Sequence, residues 1–312
     1  MTGRRTDFQA WLWGEILLTG LLGASLALFI TNPVLRTQFD LPQAWLVVQT
    51  AMALAGLLVA VLAAVRFSVD GRRVDLLLAS GFLVSSLAAA VFAIGPLLGG
   101  RPLHRPEGWA ALLGGIVGGG LVAVAPFLTS RTPRREWAIA NAVAAAAIVL
   151  LVAWMLLRAA RGSLPELSPG SGETQTFALT AALGLQALID LVAVIGWGRR
   201  LARRGDDLAR WLALGLTLQL FAALHLVFTP LRGTTYVAEG DFLRVLGFAV
   251  MLVGAWRAIR SAELGRVVAE ERARVAREIH DGLAQYLFAV STHATMLETG
   301  VAGAETDRKS VV

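Results

Sequence analysis

Three side chains near the end of the chain stand at a spacing that can move a phosphoryl group. In RVAREIHDGLAQYL, Arg274 to Leu287, a histidine is followed directly by an aspartate and, one helical turn after the aspartate, by a glutamine: His280, Asp281 and Gln285. A ring nitrogen of neutral imidazole can attack a phosphoryl group, provided a neighbouring carboxylate fixes the tautomer or takes the released proton. Asp281 is placed to be that carboxylate. An amide such as Gln285 can orient a water for the reverse hydrolysis, the role a water-positioning glutamine plays in other phosphoryl-transfer enzymes. His104 and His293 have no such company and read as ordinary surface or core histidines.

The element that must position this trio is a helix. Residues 260–300 are charged and free of proline, and the pairs Arg266 with Glu270, Glu270 with Arg274, and Arg274 with Glu278 are spaced i,i+4, each adding a few tenths of a kcal/mol. Ile279, Leu283, Leu287, Val290, Ala294 and Leu297 form one apolar stripe. At about 100° per residue His280 falls at the margin of that stripe, while Asp281 and Gln285 share a polar face. Such a helix needs an apolar partner yet leaves its histidine reachable.

The segment ERARVAREIHDGLAQYL resembles the dimerisation and phosphoacceptor segment of sensor histidine kinases of the third HisKA subgroup. The matching positions are Glu271, Arg272, Arg277, Glu278, His280, Asp281 and Gln285, with Ile279 where the family usually has leucine. The resemblance covers about 30 residues. It implies that His280 is autophosphorylated from ATP with Mg, that Asp281 assists as general base, and that Gln285 serves dephosphorylation of a partner response regulator through its phosphoacceptor aspartate. It also implies a homodimer.

What precedes this helix is lipid-soluble. Of 312 residues 56% are hydrophobic and 16% charged, with mean hydropathy +0.65, against about 25% charged in a soluble domain. Crossing a bilayer takes about 20 apolar residues. Eight runs qualify: Trp11 to Ile30, Trp45 to Val65, Leu76 to Leu98, Trp109 to Leu128, Trp137 to Leu157, Phe177 to Trp197, Trp211 to Phe228 and Phe242 to Ile259. Tryptophan opens five of them, as interfacial anchors do. In the eighth, Arg244 and Arg257 must reach outward to the headgroups. The first run is too long for a signal peptide and is taken as a retained span.

Orientation follows from arginine counting. With the N-terminus inside, inner segments carry thirteen arginines and outer loops six. Both termini are then cytoplasmic, and His280 lies on the side that holds nucleoside triphosphates. The net charge of +6 resides in those short loops, so nucleic acid is not an expected partner. Zero cysteines exclude disulfides and thiolate sites, and no metal site is expected.

Polar residues inside spans are costly and are therefore candidate sensor elements: Asn141, Gln186, Asp190, Gln219 and His225. Counted from the cytoplasmic ends, Asp190 lies roughly 10 Å deep and His225 roughly 21 Å, which argues against their pairing. Gln219 matches the depth of Asp190, so an Asp190 to Gln219 pair is expected, or else these groups merely satisfy one another. In GGIVGGG, Gly114 with Gly118 and Gly115 with Gly119 fit close helix packing rather than binding. The loop Arg158 to Thr176 is rich in Pro, Gly and Ser and reads as an irregular connector.

The resemblance has one large departure. A second helix of the phosphoacceptor hairpin and an ATP-binding domain do not fit in the twelve residues after Gly300, and no phosphate-binding loop occurs. The expectation is a C-terminally truncated chain that cannot phosphorylate itself and binds no ATP. The tail DRKSVV holds the sole lysine among 28 basic residues, and back-translated it resembles a sequencing adapter, so Asp307 to Val312 are expected not to be natural. The overall expectation is an all-α polytopic membrane bundle over residues 1–259, a signalling and first phosphoacceptor helix over 260–300, and a truncated tail over 301–312. It would be a two-component sensor histidine kinase of the bacterial inner membrane. The alternative is a multispan transporter or receptor with a non-catalytic dimerising cytoplasmic helix; a membrane-embedded hydrolase lacks any clustered nucleophile and base.

Overall fold

The computed structural model describes residues 2–35, 39–132, 135–165, 167, 177–229 and 236–309. Among them, eight helical segments are long and apolar enough to cross a membrane. These are built from α1 (Thr2–Thr31), α2 (Pro42–Asp70), α3 (Arg73–Ala88), α4 (Gly95–Leu98), α5 (Arg105–Val124), α6 (Arg135–Ala159), α7 (Phe177–Arg204), α8 (Asp207–Phe228) and the start of α9 (Glu239–Lys309). The third span joins α3 to α4 through a π-helical turn, Ala89–Ile94; the fourth is α5 with a 3-10 turn, Ala125–Phe127. Most of the helices run a few residues past the apolar runs, because backbone bonding continues into the interface.

Local chemistry sets the breaks. Pro42 starts α2 and Pro106 lies in the first turn of α5, where no amide donor is missed. Gly71 closes α2 at φ 66°, its amide donating to the Phe67 carbonyl at 2.8 Å, and Gly205 closes α7 at φ 63°. The Asp206 carboxylate then caps α8 by accepting from the Leu208 amide at 3.3 Å. The π-turn ends at Ile94, two residues before Pro96, which has no amide to donate to the Phe92 carbonyl.

The chain divides into two compact units, Met1–Ile259 and Arg260–Val312. In the first, α8 is the most enclosed helix. Leu78 of α3, Trp197 of α7, Leu212 of α8 and Met251 of α9 meet in the main core, where the Trp197 indole donates to the Val122 carbonyl at 3.2 Å. Small residues let α3 and α5 touch: a side chain at Gly118 would collide with Ser85 and the Gly81 carbonyl, and one at Gly114 with Ala88. The outer faces of α1 and α6 leave Trp13, Leu17, Met155 and Leu156 exposed, as suits lipid.

Each end of the bundle has its own fastening. At one, the α2–α3 and α7–α8 turns are held by Arg66 with Asp75 at 3.9 Å and Arg200 with Asp206 at 3.6 Å, and Arg72 bridges Arg131 through the backbone. At the other, β1 (Phe39–Asp40) pairs antiparallel with β2 (Tyr236–Val237), matching Phe39 to Val237 and Asp40 to Tyr236. The second unit is helix through Lys309. Positions 310–312 of the suspected tail, Arg36, Arg134 and Arg232 of the arginine count, and most of the connector before Phe177 lie outside the described residues.

Candidate functional site

α9 presents the phosphoryl-transfer trio on an open surface. His280 and Asp281 side chains are 84% and 77% exposed, and Nδ1 of His280 lies 3.5 Å from Oδ1 of Asp281. Consecutive helix residues point about 100° apart, so this is a loose contact set by sequence adjacency rather than a tight bond. Its consequence is directional: with Nδ1 turned to the carboxylate, Nε2 faces solvent. Gln285, also exposed, follows Asp281 by one turn.

The flanking helix is braced by Arg274, which donates to Glu271 at 2.7 Å and reaches Glu278 at 3.9 Å. The i,i+3 contact with Glu271 is the closer one, and the Arg266 side chain of another expected pair lies outside the described residues. Among the described residues of its unit the apolar stripe is uncovered: Leu283, Leu287 and Leu297 are 59%, 69% and 71% exposed.

A second constellation lies inside the first unit. A cavity of about 320 Å³ opens between α2, α3, α5, α7, α8 and α9. Its polar lining comprises Gln49, Ser85, Ser86, Gln186, Asp190 and Gln219, with Tyr236, Asp241 and Arg244 towards the β1–β2 end. The rest is apolar, including Trp45, Phe82, Phe248 and Met251. The π-turn supplies Ala89 and Ala93 to the wall, so the widened stretch of the third span borders the cavity.

Several expectations are corrected here. Asp190 and Gln219 share the cavity but bond elsewhere: Asp190 Oδ1 accepts from Gln186 Nε2 at 3.0 Å on its own helix, and Gln219 donates to the Arg244 carbonyl at 3.0 Å. Equal depth brought them to one chamber, but depth says nothing of rotation about each axis. Arg244, expected to extend to the headgroups, is partly buried and lines the cavity, on a helix packed against α8 through Gly247 and Gly215. Arg257 lays its guanidinium over the Trp211 ring at 5.7 Å. Gly119 approaches Gln186, and Gly115 has open space before it, so this pair lines the cavity while Gly114 and Gly118 pack against α3. From the connector, Leu167 also reaches the cavity wall.

His225 lies apart. It is buried, its Nδ1 donates to the Phe221 carbonyl at 2.7 Å, and its ring stands 4.8 Å from Phe29. Asn141 is exposed on α6. Sequence reasoning missed Glu15, which is buried in α1 and accepts from the Thr217 hydroxyl of α8, and Asp241, whose carboxylate accepts from the Ala238 amide at 3.0 Å at the start of α9. The signal for Glu15 was available: a carboxylate inside an apolar run demands a partner.

Among the described residues, the glycine-rich run of α5 is helical and engaged with α3 and α7 rather than forming a loop of free amides. Among the described residues no cluster of His, Cys, Asp or Glu could hold a metal ion.

Helical spans followed by an exposed histidine-bearing helix define the class, a multi-pass membrane protein with an appended signalling helix. Residues 271–311 match the family model described as histidine kinase. The chain thus carries a histidine kinase segment of the third HisKA subgroup, a dimerisation and phosphoacceptor unit. No curated protein and no solved structure matches the chain.

Proposed function

We propose that this protein is the membrane sensor of a two-component system, with His280 as its phosphoacceptor. The observation that carries the reading is the His280 to Asp281 contact on an open helix face within the matched segment. Asp281 holds Nδ1–H, leaving the Nε2 lone pair to attack the γ-phosphorus of ATP; the bond to ADP breaks as the N–P bond forms. ATP and its Mg come on an ATP-binding domain that is not among these residues. The phosphoryl group then passes to an aspartate of a response regulator, and Gln285 positions water for the reverse loss of phosphate from that regulator.

The uncovered stripe from Ile279 to Leu297 supports a homodimer, since two copies can bury it against each other. Arginine asymmetry supports cytoplasmic termini in a bacterial inner membrane. The test is replacement of His280 by glutamine at the chromosomal locus, followed by labelling of native membranes with radioactive ATP. Loss of acid-labile phosphate from this protein is expected; undiminished phosphohistidine overturns the proposal.

A further inference from the structure

The cavity in the first unit holds charges that the phosphoacceptor chemistry does not use. Among the described residues lining it, the acidic and basic side chains are Asp190, Asp241 and Arg244. Asp241 is accounted for by its bond to the Ala238 amide at the head of α9. Arg244 lies within the electrostatic reach of both carboxylates but closes no ion pair with either among the described residues. Asp190 is 4% exposed, and its Oδ1 accepts from Gln186. With both carboxylates ionised, the single guanidinium leaves one negative charge uncompensated in a low-dielectric chamber. Such a charge is costly unless a counter-charge joins it.

The surroundings specify more. Trp45, Met52, Phe82, Leu112 and Phe248 make most of the wall apolar, while Gln186 brings its amide to Asp190 and Gln219 donates to the Arg244 carbonyl. A volume of about 320 Å³ lies at the small end of the roughly 300–1,000 Å³ typical of small-molecule sites. Gly115, which meets nothing within 4 Å, leaves room where any side chain would intrude.

We infer that this cavity is the stimulus site and takes a small amphiphilic monocation, an ammonium head on an apolar body, with the head at Asp190 and the body against Trp45, Phe82 and Phe248. The inference deepens the sensor reading and rests on it only for the word stimulus. Asp241, Arg244, Phe248 and Met251 all present to the cavity from the eighth span, so an occupant touches the span whose helix continues along the chain to His280. The competing resolution of the charge is a proton on Asp190, which would leave a neutral chamber with no preference for cations.

The experiment measures saturable binding of radiolabelled octylammonium to the chain in lipid nanodiscs, with empty nanodiscs subtracted, and its displacement by octanol and octanoate. One site per chain is expected, with octanol and octanoate at least tenfold poorer competitors. Asp190→Asn should weaken octylammonium at least tenfold, and Arg244→Gln, which removes the repelling guanidinium, should tighten it about tenfold. That gain cannot arise from misfolding. Equal affinity for octylammonium and octanol, preference for octanoate, no effect of Asp190→Asn, no tightening in Arg244→Gln, or no saturable site overturns the inference. The readout needs neither ATP nor a reactive histidine, so its failure leaves the phosphoacceptor proposal standing, and failure of phosphorylation at His280 leaves the binding result standing.

Discussion

Two stretches of α9 contrast in what covers their apolar residues. Between Glu239 and Ser261 one face is enclosed by other helices of the bundle, with Met251 and Ala255 1% and 3% exposed, and the opposite face can rest in lipid. From Glu270 to Leu297 the same helix alternates charged side chains with leucines that no described residue of their unit covers. Hydrocarbon tolerates an uncovered leucine and water does not. An exposed apolar face therefore carries opposite meanings in the two stretches: lipid contact in the first, a missing partner in the second.

The sharpest break of that comparison acts on chemistry, which belongs to the second stretch alone. Asp281→Asn should lower phosphate incorporation at His280 by about 10²- to 10⁴-fold, the range of general acid–base assistance, while the bundle's thermal stability in detergent stays unchanged. Incorporation at the wild-type rate would mean that the 3.5 Å contact is incidental.

Next comes the stripe. Leu283→Asp with Leu287→Asp should weaken self-association by more than about 100-fold, since each leucine buried in a dimer contributes about 1.5–3 kcal/mol. Sedimentation in detergent reads the change, and an unaltered dimer would move the interface into the membrane. Leu156→Asn on α6, exposed to an equal degree, should leave association intact.

Within the bundle the effects are smaller. Gly118→Leu forces α5 from α3 and should cost about 1–3 kcal/mol, read as earlier thermal unfolding, whereas Gly120→Leu meets open space and should stay within about 0.5 kcal/mol. Smallest is Thr217→Val, which removes the hydroxyl from Glu15 and should cost about 0.6–1.7 kcal/mol, the span measured for polar contacts between membrane helices.

Much of this was legible in the chain. Hydropathy placed the eight spans within a few residues, because a fixed thickness of lipid imposes a minimum length on any helix that crosses it. The adjacency of His280 and Asp281 is covalent, so their contact needed no tertiary information. The polar residues of the spans were less legible. Gln186, Asp190 and Gln219 could be named as costly and even sorted by depth, but the partner of each depends on how every helix is rotated. Arg244 shows the same limit: near a helix end an arginine is expected at the headgroups, and only the packing of α9 against α8 set it in the cavity wall. Glycines divide likewise, Gly118 against a neighbour and Gly115 beside a void, although the two belong to a single motif.

The amino-acid sequence alone determined which segments partition into lipid, where helices stop, and that one imidazole has a carboxylate at its side, because these depend on neighbours along the chain. Only the tertiary structure decided that six helices leave a chamber with polar groups between them and that α9 contributes four residues to its wall. Those features depend on the azimuth of each helix, which is chosen by the sum of many weak contacts across the bundle and is written in no single segment.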